Sequence, residues 1–404
     1  ALGFSGLVYV LGIPTRFRST FYTYASIEDV TDDYVTDTTY INIRNPYNRP
    51  YTVELDPGYR LLPITRSTQY TVSGQSLDVD APYQIAICTG EDALTVKGQN
   101  ISAFTPRYFR LERRTENSEK VGITGEVDYF EGQLQGSLTN RFPYPIENAT
   151  LILYGNMVQL GRMEAGETKD LAGYPLLRYP LGDSYLAAEH ISGEDTYASA
   201  DIRNRSYMLA VERSNLTRFY LDNYLTGYTA DARVIAFSTQ KEESQFLKNP
   251  SEETYGITML TQTVPVNASR DHSIYRSVLM KVPRVNGGSY DAETNSMSGA
   301  EPLTLEYQFG TDIEVESLTF ESVSEEFIDT GSGSISHIFT GSIYFYNYAT
   351  GNFDRMELEG TTLNVEQLKP YLSPGNTLTV RYAYNGSGLD AIQLPMPMVA
   401  GRER

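Results

Sequence analysis

Nearly every segment of the chain alternates in period two: β-branched and aromatic residues take turns with polar ones, and Gly, Pro, Asn or Asp falls between the runs. Successive residues of an extended chain point to opposite faces, so such runs bury one side only, as half-covered β-strands. The stretch "TTYINIRN" sets Thr39, Ile41 and Ile43 against Tyr40, Asn42 and Arg44, and "PYNRP" then turns the chain into "YTVELD". The pattern predicts a mainly β protein made of serial antiparallel β-sandwich domains, immunoglobulin-like and jelly-roll-like, with one amphipathic helix as an insertion.

A chain of 404 residues exceeds one ordinary core and is read as three such units. Residues 20–116 form the first, with "YRLLPI", "QYTVS", "YQIAICT" and "ALTVKGQNI" as further strands, and the charged stretch "RLERRTENSEK" reads as the linker that follows. Residues 117–270 restart the pattern as short strands from "VGITGEVDYF" to "ETKDLA", the spacing of an immunoglobulin-like sandwich. Period two breaks near 200–225, where Ile202, Leu209 and Leu216 recur every seven residues and Met208, Val211, Phe219 and Tyr220 widen the same helical face. Asp201 is the expected N-cap and Gly227 lies just past the end. Residues 271–404 carry seven strands with long connections, a jelly-roll-like sandwich. The apolar run "ALGFSGLVYVLG" within residues 1–19 is shorter than the roughly 20 residues a membrane-spanning helix needs. It reads as a strand or a membrane-proximal segment. Together with the apolar "LPMPMV" near the other end, it leads to the expectation of membrane anchoring through segments outside this chain.

Composition removes several function classes. Acidic residues number 51 against 32 basic ones, a formal charge of −19, which repels nucleic acid and anionic lipid unless a local basic patch intervenes. One cysteine, Cys88, allows no intrachain disulfide and no thiolate zinc cage, and "YQIAICTG" reads it as a small buried hydrophobe. Histidines are three, His190, His272 and His337, and the phosphate-loop and serine-elbow patterns GxGxxG, GxxxxGK[ST] and GxSxG do not occur. Clustered acids at Asp29, Asp32 and Asp33, at Glu242 and Glu243, and at Glu325 and Glu326 read as solvated faces or loops. No catalytic residue, metal ligand or cofactor is assigned. Oxygen ligands for a structural calcium are plentiful, yet no loop has the DxDxDG spacing. Abundant Tyr, 32 copies with no Trp, fits an exported bacterial β-protein.

One stretch stands apart. In "GSIYFYNYATGNFDRMELEG", residues 341–360, strand geometry puts Tyr344, Tyr346 and Tyr348 on one face and Ile343, Phe345 and Asn347 on the other, with "ATGN" as the turn of a hairpin. Tyrosines spaced about 7 Å along a strand match successive sugar rings, and these three are the candidate ligand-binding residues. The competing reading is that they cover the outer side of a sandwich or pack against a neighbouring domain. The lack of Trp weighs against a dedicated sugar platform.

The segment "GEVDYFEGQLQGSLTNRFPYPIENATLILYGNMVQLGRMEAGETKDL" resembles the extracytoplasmic sandwich modules of Gram-positive bacterial membrane proteins of unassigned function, in which a "GxLTN" strand precedes a "LENA"-like turn and a "LGxMxAGE" hairpin. The stretch from "GSIYFYNYATGNFDRM" to "YLSPGNTLTVRY" resembles the "YNxxTGxxD" hairpin of the accessory sandwich in the same proteins. The resemblance implies a membrane-anchored, extracellular, cell-surface protein and brings no catalytic residue with it. The function expected is non-enzymatic interaction or scaffolding, with envelope glycan or another surface protein as partner. The alternatives are a carbohydrate-active enzyme whose paired carboxylates meet at a domain interface, and a plain spacer.

Overall fold

The structure, a computed structural model, describes residues 20–64, 84–99, 101, 103–178, 184–192, 204–225, 232–238, 246–249, 254–292, 294–299, 301–322, 336–357, 362–386 and 391–404. The protein is mainly β, with mostly antiparallel sheets and few helices among the described residues. It divides into two compact units, residues 1–121 with 237–261 and residues 122–236 with 262–404. The apolar segment 1–19 and the strand "QYTVS" lie outside the described residues.

In the first unit the strands Arg60–Pro63, Arg107–Glu116, Tyr34–Arg44, Phe21–Val30 and Thr254–Val264 lie side by side in that order, and Tyr51–Leu55, Leu94–Gln99 and Gln84–Thr89 form a second sheet. Alternate residues of both meet in one core, with Ile41, Ile43 and Leu111 from the first and Val53, Leu55 and Val96 from the second all buried. The chain returns from far downstream to close this core. Phe246 and Leu247 belong to it, and Asp56 N–H and Lys248 N–H bond to Phe246 O (3.0 Å) and Glu54 O (3.1 Å).

Two expectations fail here. Most of the charged stretch that reads as a linker, residues 110–116, is the second half of the strand Arg107–Glu116, paired along its length with Tyr34–Arg44 and, as far as Glu112, with Arg60–Pro63; residues 117–120 lie just past its end. Period two persists beneath its charges: Phe109 and Leu111 are buried, while Arg113 lies 4.3 Å over the Tyr59 ring and Arg114 3.9 Å over Tyr34. Long arginine stems cover apolar surface and keep their heads in water, so charge density alone does not mark a linker. Cys88 is exposed rather than buried, because Gln84–Thr89 bonds among the described residues only to Leu94–Gln99 and leaves its outer side open.

In the second unit the hairpin of Ile123–Phe130 and Gln133–Asn140 is flanked by Thr168–Asp170 and by Val266–Asn267, the latter parallel. A companion sheet runs Leu177–Arg178, Asn156–Met163, Ile146–Leu153, Ala232–Ser238. The "GxLTN", "LENA" and "AGE" positions have structural duties. At Gly136 (φ +104°) a methyl group would sit on the Glu126 carbonyl oxygen, so only glycine lets the hairpin strands approach. Fully buried Asn140 donates to the carbonyls of Tyr144, Met163 and Glu164 and accepts from Phe142 N–H. Asn148, at a bulge, donates to Ser192 O (2.9 Å) and accepts from Arg213 (2.6 Å). It thereby ties the helices α1 (Ser184–Ser192) and α2 (Arg205–Asn223) to the sheet.

Only α2 is foreseen by the sequence pattern, and its buried face agrees with the expected one at Leu216 and Tyr220 but not elsewhere. Asn204 caps it, accepting from Ser206 N–H at 3.0 Å, and Asp201 and Gly227 lie outside the described residues. Buried along α2 are Ala210, Ser214, Thr217 and Leu221 with Leu216 and Tyr220, whereas Met208, Leu209 and Phe219 are exposed. The buried side of α2 thus mixes the small Ala210, Ser214 and Thr217 with larger side chains, and on α1 Ala187 and Ala188 are buried too. A pattern built on large apolar side chains misses small buried residues of this kind.

The C-terminal part of this unit is a sandwich of two five-stranded sheets. One contains Ser273–Ser277, Met396–Glu403 and Ile313–Glu321, and the other runs Arg284–Gly287, Leu303–Gln308, Thr377–Tyr384, Gly341–Asn347, Asn352–Met356. Phe320 and Phe345 meet between them at 6.0 Å. Tyr307 and Tyr382, both fully buried, share a 2.7 Å hydroxyl–hydroxyl bond, and burial pushes the Tyr382 hydroxyl far above the ordinary phenol range.

Candidate functional site

The strand Gly341–Asn347 is held between two partners, which fixes which way each side chain faces. Ile343 pairs with Met356 and Tyr382, Phe345 with Asp354 and Val380. Ile343 and Phe345 point into the sandwich and are buried at 7% and 0% exposure. Tyr344 and Tyr346 therefore lie on the outer face, half-buried, and Tyr348 just past the strand is 41% exposed.

The hairpin turn is locked by its own polar residues. Asn347 accepts from Ala349 N–H (3.0 Å) and Thr350 N–H (3.2 Å), and its amide donates to Asp354 Oδ2 (2.8 Å). Tyr371 donates to the same oxygen at 3.2 Å, and burial first, then this bond, raise its hydroxyl pKa. Gly351, at φ +73°, closes the turn. The Asn, Gly and Asp of the "YNxxTGxxD" pattern thus build a rigid edge beside the tyrosines.

On the outer face the rings pack on one another. Tyr346 stands edge-on to Tyr348 at 5.1 Å and to Phe353 at 5.3 Å. The Arg381 guanidinium lies 3.8 Å over the Phe353 ring. In register, Tyr344 is flanked by Arg355 on one side and Arg381 on the other. Tyr348 bonds through its N–H to Pro370 O (2.9 Å), and its hydroxyl is 3.5 Å from Thr377 Oγ1. The surface is a partly self-covered aromatic array with two cations in its midst, able to stack flat rings and to pair with anions.

Phe353, Arg355 and Arg381 escape a reading of the aromatic strand alone, because register joins them to it. The available signal is the same alternation in "NFDRM" and "TLTVRYAY". Among the described residues the other candidates are not gathered into a site. Asp29 accepts from Thr261 Oγ1 (2.9 Å), and Asp33 pairs with Lys120 (3.5 Å), which also donates to the Asp32 carbonyl. Glu242, Glu243, Glu325 and Glu326 lie outside the described residues, as does the His337 side chain. His272 is exposed, 3.9 Å from Glu403, and His190 supplies its carbonyl to Gln159. Among the described residues no three His, Cys, Asp or Glu side chains cluster as metal ligands, and no helix is long and apolar enough to cross a membrane.

Residues 122–267 match a family described as a domain of unknown function (DUF8725), and residues 275–401 match a second described as a domain of unknown function (DUF8815). No curated protein matches the chain. Among solved structures, the yeast delta-COP-I mu-homology domain complexed with a Dsl1 WxWxV peptide aligns over 63% of this chain and 98% of that one at 7% identity. Its TM-score of 0.27 carries no inference about fold or ligand.

Proposed function

We propose that the chain is a non-enzymatic interaction or scaffolding region of a membrane-anchored bacterial surface protein, and that the outer tyrosine face of its C-terminal sandwich contacts envelope glycan. One observation carries this reading: Tyr344, Tyr346 and Tyr348 share one outward face of a hairpin whose turn is fixed by Asn347 and Asp354. Aromatic rings held at the surface by a stiff scaffold stack against sugar rings at little entropic cost. The polar residues of the recognisable motifs support a scaffold role, since they are spent on turns and helix attachment.

The test is retention of the full chain on purified cell-wall and capsular polysaccharide, together with a glycan array. Wild type is expected to be retained and a Tyr344→Ala/Tyr348→Ala double variant, folded by circular dichroism, to elute. A fractionation placing the native protein in the cytoplasm, with no glycan retained, sinks the proposal. Capture of an envelope protein through the same tyrosines would replace glycan as the partner.

A further inference from the structure

We infer that the glycan met by this face is carboxylated, its acid groups taken by Arg355 and Arg381; the inference rests on the glycan reading above. Direct register places Thr304, Arg381, Tyr344 and Arg355 in one row across four strands, with Tyr346 and Phe353 in the neighbouring row. Arg381 stacks on Phe353 and donates from Nε to Thr304 Oγ1 at 3.4 Å, and Arg355 is exposed.

Neither guanidinium has a carboxylate within ion-pair distance among the described residues. Three arginines elsewhere in the same unit are carboxylate-paired, Arg276 with Asp312 at 2.6 Å, Arg162 with Glu147 and Glu164, and Arg402 with Glu316, whereas Arg141 and Arg270 bond to the neutral Thr124 and Gln135. The acids on this face are Glu306, opposite Arg284 in register, and Glu357, past the end of the hairpin. In a chain of net charge −19, exposed Arg355 and half-buried Arg381 set two cations with no carboxylate partner among the described residues beside an aromatic array.

A sugar whose carboxylate is attached to the ring satisfies both halves of the patch. Its C–H face stacks on tyrosine while its carboxylate accepts the guanidinium fork. A neutral glycan leaves the cations unpaired, and a polyol phosphate offers charge without a ring face. Repulsion from the rest of the acidic surface is confined, because charges beyond about 8 Å are largely screened at physiological salt.

Titration calorimetry of the full chain with polygalacturonate, with its methyl ester and with poly(glycerol phosphate) tests this. The acid form is expected to bind, and esterification or Arg355→Gln, a change at an exposed site that leaves folding intact, to weaken binding roughly tenfold, as loss of a charged hydrogen bond does. Equal binding of acid and ester, unmoved by Arg355→Gln, overturns the carboxylate inference and leaves the glycan reading standing. Preference for poly(glycerol phosphate) also overturns it. Failure of all three polymers to bind, with neutral cell-wall glycan failing too, overturns both.

Discussion

Asp37 sits inside the first unit, 7% exposed, and takes hydroxyl donors from Ser26 (2.8 Å), Thr39 (2.7 Å) and Tyr59, with Arg113 at 4.0 Å. A buried carboxylate is tolerable only with such satisfaction, and removing it takes away the acceptor that three hydroxyls share. Asp37→Ala is expected to cost about 2–4 kcal/mol, read as a lower denaturant midpoint at unchanged slope. Asp37→Asn, which keeps a carbonyl oxygen, should cost less. Asp312 is the reverse case, half-exposed and held by a two-pronged bond from Arg276 (2.6 and 2.8 Å). That bond lowers its pKa from 3.8 to about 2. The unfolded chain binds the proton more readily, so the contribution is complete above pH about 4 and disappears as pH falls toward 2. Solvent screening keeps it within about 1 kcal/mol. An acid titration of Asp312→Asn should show the wild-type advantage closing over that window; an advantage that persists at pH 2 would refute the assignment.

Within the aromatic hairpin, neighbouring residues have opposite fates. Phe345 is fully buried against Phe320 and Tyr371, at 6.0 and 5.6 Å, while Tyr348 is open to solvent. Phe345→Ala should cost about 3–5 kcal/mol. Tyr348→Ala should cost under about 1 kcal/mol, and thermal melts of the pair measure the contrast. Alternation makes this much readable from the sequence, since Ile343 and Phe345 had to share a face. The cross-strand company of the tyrosines was not readable, because Phe353, Arg355 and Arg381 join them through pairings that no local pattern specifies. Part of the buried α2 face was hidden for a different reason: Ser214 and Thr217 are buried there, and small polar residues carry no hydropathy signal.

At the level of the whole second unit, one acid links its two family-matched segments. Glu321, 5% exposed at the end of Ile313–Glu321, accepts from Tyr129 (3.1 Å to each carboxylate oxygen) and from Tyr275 (2.9 Å). Tyr129 belongs to the segment 122–267, Tyr275 and Glu321 to 275–401. The rings of Tyr129 and Tyr275 also meet at 5.8 Å. Glu321→Ala is expected to destabilise by about 2–4 kcal/mol and to split a shared melting transition of these segments into two, seen by calorimetry. A single transition at unchanged temperature would show that the segments are joined by other means. The return of residues 237–261 to the first unit is a second long-range feature, and nothing in those residues' own pattern announces it.

The sequence by itself determined the class and the faces: period two dictates strands, turn residues dictate where they end, and parity along each strand dictates what is buried. Those are local properties, set by backbone geometry and hydrophobicity within a few residues. Only the tertiary structure decided which strands pair, that most of "RLERRTENSEK" belongs to a paired strand, that Cys88 is exposed, and that two arginines stand among the tyrosines. Each of these depends on contacts between residues far apart in the chain, where register and edge position, and not composition, settle what a side chain meets.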